Sequence, residues 1–112
     1  MSILQSSITK VEDGSIGTPK GFKAIGSHAG IKQNQQLDLG LIYCEVPAHA
    51  AAVFTLNKVQ AAPILVSKDS LAKDGKLQAV IVNSGNANAC TGEQGLQAAY
   101  RMRDTVADHF NL

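Results

Sequence analysis

The chain has 112 residues, 45% of them hydrophobic and 4% aromatic, and its formal net charge is +1. This length allows one globular unit over residues 1–112, a whole domain or a piece of one, but not two independent cores. The charges are spread without a Lys/Arg cluster and the longest apolar stretches are far shorter than the roughly 20 residues of a membrane span, so nucleic acid and membranes are not expected partners.

The first twenty residues are polar and lack the charged start, apolar middle and cleavage site of a secretory signal, which predicts a cytoplasmic protein. They end at Thr18–Gly21, whose Pro-Lys-Gly sequence predicts a turn. Cys44 and Cys90 do not make a disulfide framework, and we expect both thiols to be free.

From Phe22 onward, short apolar runs separated by turn residues predict strands. Residues 26–36, rich in glycine and amides, predict a loop or hairpin connection. The runs Leu41–Cys44 and Ala79–Val82 are apolar at every position, which is typical of central strands covered on both faces. The predicted strands are Phe22–Ile25, Leu37–Val46, Ala51–Leu56, Ile64–Ser67 and Leu77–Val82.

Two helices are predicted, one between the last two strands and one after the last strand. Asp69–Lys73 has the pattern of one or two helical turns. Gly92–His109 predicts a long helix, because Thr91 and Gln94 have the spacing of a capping box, in which the Thr hydroxyl accepts from the Gln amide N–H. A single apolar stripe runs along this helix through Leu96, Ala99, Tyr100, Val106, Ala107 and Phe110, which leaves Arg101, Asp104 and Asp108 to face water.

Together these elements predict an α/β fold with a mixed sheet and a long C-terminal helix. A strand, a loop and a helix normally lead into a further parallel strand. Because no such strand follows in this sequence, we expect an incomplete portion of a larger α/β domain.

The segment Asn83–Gly92, NSGNANACTG, lies between the last predicted strand and the long helix. Asn83, Asn86 and Asn88 can bind loop backbone or a ligand through amide donors and acceptors, and ligands of α/β proteins favour this end of a strand. The chemistry alone favours backbone contacts over substrate contacts. A phosphate site is not supported, because the segment has neither the P-loop spacing nor GxGxxG.

Other reactive residues have simpler structural interpretations. Cys90 precedes a helix, where a thiolate can be stabilised, but it has no neighbouring base in sequence and is expected to be a small buried thiol. His28, His49 and His109 are too widely spaced to predict a metal site and are expected in loops or on the surface. Solvated faces account for Glu12, Asp13 and Asp69, and Thr55 is expected to be a sheet residue rather than a nucleophile.

Several blocks in order along residues 18–108 carry a family resemblance. The chain resembles the start of the ornithine acetyltransferase (glutamate N-acetyltransferase) family, and the Asn-rich block is the most specific of the matches. The other blocks are Pro19–Phe22, Ala29–Lys32, Asp38–Ile42, Ala52–Thr55 and Gln60–Pro63.

The resemblance implies the N-terminal part of the α chain of a precursor that cleaves itself before a threonine. The α and β chains then stay associated, usually as α2β2, and the new terminal threonine carries acetyl from N-acetylornithine to glutamate. No cofactor is implied, although some members also accept acetyl-coenzyme A as co-substrate. The family's nucleophile and oxyanion-hole Thr-Gly pair match no position of this sequence, so Thr91-Gly92 is not assigned that role and no catalytic residue is predicted here.

Overall fold

The computed structural model describes residues 7–112 and contains three strands and two helices. The elements follow the chain as β1 (Phe22–Ser27), β2 (Leu39–His49), α1 (Ala62–Leu71), β3 (Lys76–Asn83) and α2 (Gly92–Phe110). The predicted α/β class and the long C-terminal helix are confirmed. No helix in the described part of the chain is long and apolar enough to cross a membrane.

The sheet has the order β1-β2-β3, and both strand pairs are antiparallel. The turn predicted at Thr18–Gly21 is confirmed, since the N–H of Phe22 donates to the carbonyl of Pro19 and Gly21 has a φ of 86°. The predicted connection over 26–36 is also confirmed as the loop that joins β1 to β2. The register of β2 with β3 shifts between Tyr43 and Ala48. Pro47 is tolerated there, because a residue in a bulge need not donate an N–H to the neighbouring strand.

β2 is the central strand, as predicted, but the prediction that β3 is central is wrong. β3 is an edge strand among the described residues, and its side chains Val80 and Val82 are 45% and 52% exposed. An apolar sequence predicts burial on both faces, whereas among the described residues only one face of β3 is covered by helices.

Two further strand predictions are wrong. Ile64–Ser67 lies inside α1, where Pro63 in the first turn sets a helical φ and contacts with α2 and β3 override the strand propensity of the run. This helix also replaces the short one predicted at Asp69–Lys73. Ala51–Leu56 forms no regular structure with the described residues.

The helix α2 closely follows its prediction. Every member of the predicted apolar stripe is half-buried and the three predicted solvent-facing residues are exposed. It ends at Asn111, whose left-handed φ of 57° lets the N–H of Leu112 donate to the carbonyl of Ala107 at 2.8 Å. Phe110 stacks on Tyr43 of β2 with 4.4 Å between ring centroids, which holds the end of α2 against the sheet.

Both helices contact β3 on one face of the sheet, and the small core lies between them. Val66, 7% exposed, belongs to this core. Cys44 is 4% exposed but lies on the other face of the sheet, because it alternates with Tyr43, which stacks on α2. The opposite face carries Ala24, Ile42 and Val80 in register across the three strands. No described element covers it.

Candidate functional site

The Asn-rich loop follows β3 and leads directly into α2. Asn83 is the last residue of β3 and is paired with Leu39, so its position is set by the sheet. The side chains of Asn83, Asn86 and Asn88 are brought together on one cleft of about 130 Å³. The rest of the cleft is lined by Ala62, Pro63, Ala87, Thr91, Gly95, Ala98, Ala99 and Met102.

The three asparagines do not have the backbone contacts that the chemistry favoured. Asn83 Nδ2 donates to Met102 Sδ at 3.6 Å, which links the end of β3 to α2. Asn86 and Asn88 are exposed, and neither side chain hydrogen-bonds another described residue. Both residues line the cleft, and their amide groups have donors and acceptors without a partner among the described residues.

The start of α2 differs from the predicted capping box. The Thr91 hydroxyl makes no capping hydrogen bond, and Thr91 has φ −97° and ψ 4° in place of the extended angles of an ordinary N-cap. Its side chain instead lies over Gly95, where an added Cβ would overlap Thr91 Oγ1 and Cβ. Gly95 thus leaves the space that Thr91 occupies at the edge of the cleft.

Cys90 is a free thiol, as predicted, but the expectation that it is buried is wrong. It is exposed and has a left-handed φ of 55°, which turns its side chain away from the small core. Cys44 is also free and is buried in β2.

A buried carboxylate, Asp38, lies next to the Asn-rich loop. Asp38 directly precedes β2 and is 3% exposed. Its carboxylate accepts backbone hydrogen bonds from the N–H groups of Ala29, Ile31 and Lys32 at 2.6, 2.7 and 2.9 Å. The His28 ring nitrogen Nδ1 lies 3.4 Å from its Oδ2. We call Asp38 and these three amides the Asp38 cluster.

The electrostatics of the Asp38 cluster favour the ionised acid. The hydrogen bond from Ala29 does most to hold the pKa of Asp38 below its usual range, and the bonds from Lys32 and Ile31 and the nearby His28 act in the same direction. Burial opposes this shift. Because Asp38 accepts all three amide N–H groups, they are not available to bind an anionic ligand.

The Asp38 cluster contacts the Asn-rich loop at two points. The N–H of Ser84 donates to the backbone carbonyl of Asp38 at 2.9 Å. Next to it, Gly85 has a φ of 98°, and a Cβ there would lie 2.6 Å from Lys32 Cγ. The hairpin loop before β2 and the loop after β3 are therefore held against each other.

Sequence reasoning did not identify Asp38, Lys32 or Gly85 as parts of the site. One signal was present, since an aspartate directly between Leu37 and Leu39, ahead of an apolar run, has to be paired if it is buried. The residues that pair with it lie six to nine positions earlier, and only the path of the loop brings them together.

The remaining candidates occupy ordinary positions. His28, His49 and His109 are exposed, as expected, and the described residues contain no cluster of side chains suited to a metal ion. Asp69 is exposed, and its Oδ2 lies 3.0 Å from a terminal guanidinium nitrogen of Arg103. The prediction that Thr55 is a sheet residue is wrong, because it lies outside the strands and its hydroxyl accepts from the N–H of Asn57.

Arg103 connects the two helices on the surface beside this core. Its guanidinium donates to Asp104 at 2.8 Å and to Asp69 at 3.0 Å, and these hydrogen bonds, the one to Asp104 foremost, raise the pKa of the guanidinium. Since it is permanently charged in any case, its role is to fix α1 against α2.

Relatives of known name match this chain along almost all of its length. The chain is 64% identical over 107 residues to the arginine biosynthesis bifunctional protein ArgJ of Bacillus anthracis, which covers 96% of this chain and 26% of that protein. The ArgJ protein of Halalkalibacterium halodurans is 56% identical over 96% of this chain. The chain thus spans about a quarter of the length of the curated relatives it matches.

Solved structures show the same fold. A crystal structure of arginine biosynthesis bifunctional protein ArgJ from Bacillus halodurans superposes with a TM-score of 0.88 at 58% identity, covering 93% of this chain and 54% of that one. Ornithine acetyltransferase of Mycobacterium tuberculosis complexed with ornithine superposes with a TM-score of 0.79 at 44% identity, covering 88% of this chain and 51% of that one.

The model of the ArgJ family matches residues 23–112, which include all but the first residue of β1, the other two strands, both helices and the Asn-rich loop. On this match and the identities above, the chain belongs to the ArgJ family.

Proposed function

We propose that this chain is the N-terminal portion of an acetyltransferase of arginine biosynthesis, which moves acetyl from N-acetylornithine to glutamate. One observation carries the proposal: the chain is 64% identical over nearly its whole length to a protein named for arginine biosynthesis. The likeness to an ornithine acetyltransferase solved with ornithine supports the same substrate class.

The chemistry of the proposed reaction needs a nucleophile that this chain does not supply. A threonine hydroxyl attacks the acetyl carbonyl of N-acetylornithine, forming an ester while ornithine leaves with its amine protonated. The amine of glutamate then attacks the ester, which restores the hydroxyl and releases N-acetylglutamate. Two lower barriers replace one, with an oxyanion hole at each tetrahedral intermediate.

This chain contributes scaffold and one wall of the site in this proposal. Its partners are the remainder of the α chain and a β chain that begins with the threonine, assembled as α2β2 in the cytoplasm. No cofactor is required, and acetyl-coenzyme A is an additional acetyl donor for a bifunctional enzyme. The 112 residues alone are expected to be inactive.

We further propose that Asn86 and Asn88 contact the polar part of a substrate. The cleft supports this role, since Asn86 and Asn88 line it and their amides have no partner among the described residues, while Asn83 is held by Met102. Exposed amides on a loop set by a sheet and a helix can bind a carboxylate or an amide without a large ordering cost.

The test uses the full-length protein that contains this sequence. Purified enzyme should transfer labelled acetyl from N-acetylornithine to glutamate, and Asn86→Ala or Asn88→Ala should raise a substrate KM about fivefold, the equivalent of the roughly 1 kcal/mol of one hydrogen bond. Gln33→Ala, which removes an exposed amide elsewhere, is the matched control. Absence of transfer would overturn the assignment, and unchanged KM values would overturn only the role of the asparagines.

A second candidate is a non-catalytic module that captures a small anion or metabolite at Asn83–Gly92. This candidate is favoured because the residues that line the cleft all belong to this chain, so ligand capture there needs no further polypeptide. Calorimetry of the 112-residue chain with phosphate, nucleotides and acetylated amino acids distinguishes the two functions. Binding that Asn86→Ala weakens, together with no acetyl transfer by the full-length protein, would establish the module.

A further inference from the structure

The segment Ala51–Leu56, between β2 and α1, has an unpaired backbone. The preceding Ala50 donates to the carbonyl of Gly75, and the next backbone bond along the chain is made by Ile64 to Ala61. Between them, Ala51–Leu56 makes no backbone–backbone hydrogen bond within residues 7–112. Six consecutive residues thus have no backbone partner, and of their backbone groups the carbonyl of Thr55 accepts a side-chain hydrogen bond.

The segment is nevertheless held in place on one side. The carbonyl of Thr55 accepts from Gln60 Nε2 at 3.0 Å, and Gln60 Oε1 accepts from Lys68 Nζ of α1 at 3.0 Å. The same ammonium group lies 5.4 Å from the ring centroid of Phe54. The position of the segment is therefore set by α1.

Two large apolar side chains of the segment are uncovered among the described residues. Val53 and Leu56 are each 99% exposed, and Val59 just beyond is 64% exposed. Single exposed apolar residues are common on protein surfaces, but two large ones without any cover, beside unpaired backbone, form a surface suited to a partner.

The sequence pattern identifies the kind of partner. Ala51–Leu56 is rich in apolar and β-branched residues and predicts a strand, yet no strand of the described chain pairs with it. It carries no charge and no proline, the features that protect a free edge from pairing. Backbone groups that lack partners together with uncovered side chains are what strand addition uses.

We propose that Ala51–Leu56 is a docking strand that pairs with a strand from the part of the longer ArgJ polypeptide that this chain does not contain. The chain spans 26% of a curated relative's length, so most of such a protein is available as a partner. A strand linked or permanently assembled with this chain meets the segment at a far higher effective concentration than a second copy does. The inference rests on the proposed function only in taking this chain as part of that longer protein.

Hydrogen exchange on the full-length protein tests the docking strand. Alternate amides within residues 52–56, those that point toward the partner strand, should exchange at least roughly a hundredfold more slowly than in an unstructured peptide, and their rates should not change on dilution. Rapid exchange would overturn the proposal. Protection that is lost on dilution would also overturn it, because the partner would then be a second copy.

Two substitutions sharpen the test. Val53→Asn and Leu56→Asn remove the bare apolar side chains, and either should speed exchange over residues 52–56 and lower the Tm of the full-length protein. Lys58→Asn introduces the same side chain just outside the segment and should do neither. Equal behaviour of all three variants would contradict the proposal.

Acetyl transfer is measured on the same samples, which separates the two proposals. An active enzyme with an unprotected segment overturns the docking strand alone. A protected segment in a protein without transfer activity overturns the proposed function alone.

Discussion

Asp38 is the residue through which the two loops of the candidate site are joined. Asp38→Asn should destabilise the protein at neutral pH, because a neutral amide has one acceptor oxygen and its NH₂ group opposes at least one of the three amide donors. Thermal unfolding of the wild type and the variant measures the difference. Asp13→Asn, on the exposed N-terminal segment, is the control and should leave Tm unchanged.

The effect of Asp38→Asn should also depend on pH. The pKa of Asp38 is lowered in the folded protein, so its stabilising contribution is complete above the unfolded value of about 3.9 and is lost as the pH falls through the folded value. The wild type and the variant should therefore converge in stability at strongly acidic pH. A constant difference between them down to the lowest pH would contradict the assigned charge state.

Gly85 is required by its backbone angle and by its contact with Lys32. Gly85→Ala should cost well over the roughly 1 kcal/mol of a left-handed backbone alone, since the new Cβ also overlaps the Lys32 side chain near its base. Gly75→Ala is the matched control, because its φ is 69° and a Cβ there meets nothing within 4 Å. Urea unfolding of both variants measures the loss in the free energy of unfolding. Equal losses would show that the contact with Lys32 does not contribute.

At the scale of elements, the start of α2 lets the predicted capping role of Thr91 be tested. If Thr91 formed a capping box, Thr91→Ala would cost about 1 kcal/mol. The structure predicts a much smaller loss, within roughly 0.5 kcal/mol, because its hydroxyl makes no capping bond. Helix stability from thermal unfolding decides between the two, and Thr105→Ala within α2 provides a comparison for removing a Thr hydroxyl.

Short apolar runs bounded by turn residues were sufficient to predict β1, β2 and β3 from the sequence, and a helical repeat of apolar residues was sufficient to predict α2. These patterns failed at α1, where an apolar β-branched run resembles a strand and Pro63 is the only local sign of a helix start. They also failed to distinguish a central strand from an edge strand. That distinction depends on which strands the chain supplies as neighbours.

The candidate site was only partly predictable for a related reason. The three asparagines could be predicted to share a loop, and the structure places them on one cleft. The Asp38 cluster could not be predicted, since its hydrogen bonds join a side chain to backbone groups whose positions depend on the loop path. Side-chain chemistry can be read from a sequence more readily than the direction of a backbone N–H.

At the scale of the whole molecule, the sheet has one face covered by helices and one apolar face without cover among the described elements. In the longer protein this face should be buried. The 112-residue chain alone should therefore bind the dye ANS strongly, whereas the full-length protein should bind it weakly. Equal, weak binding by both would show that the chain closes its own apolar surface.

The position of β3 at the edge of the sheet has a consequence for this chain when it is on its own. Residues Leu77–Val82, LQAVIV, carry no charge, proline or glycine and are rich in residues that favour strands. Such a hexapeptide meets the criteria for a steric zipper, in which identical strands from many molecules stack into a fibril. An edge that would pair with a native neighbour in the longer protein is, in the isolated chain, a template for cross-β aggregation.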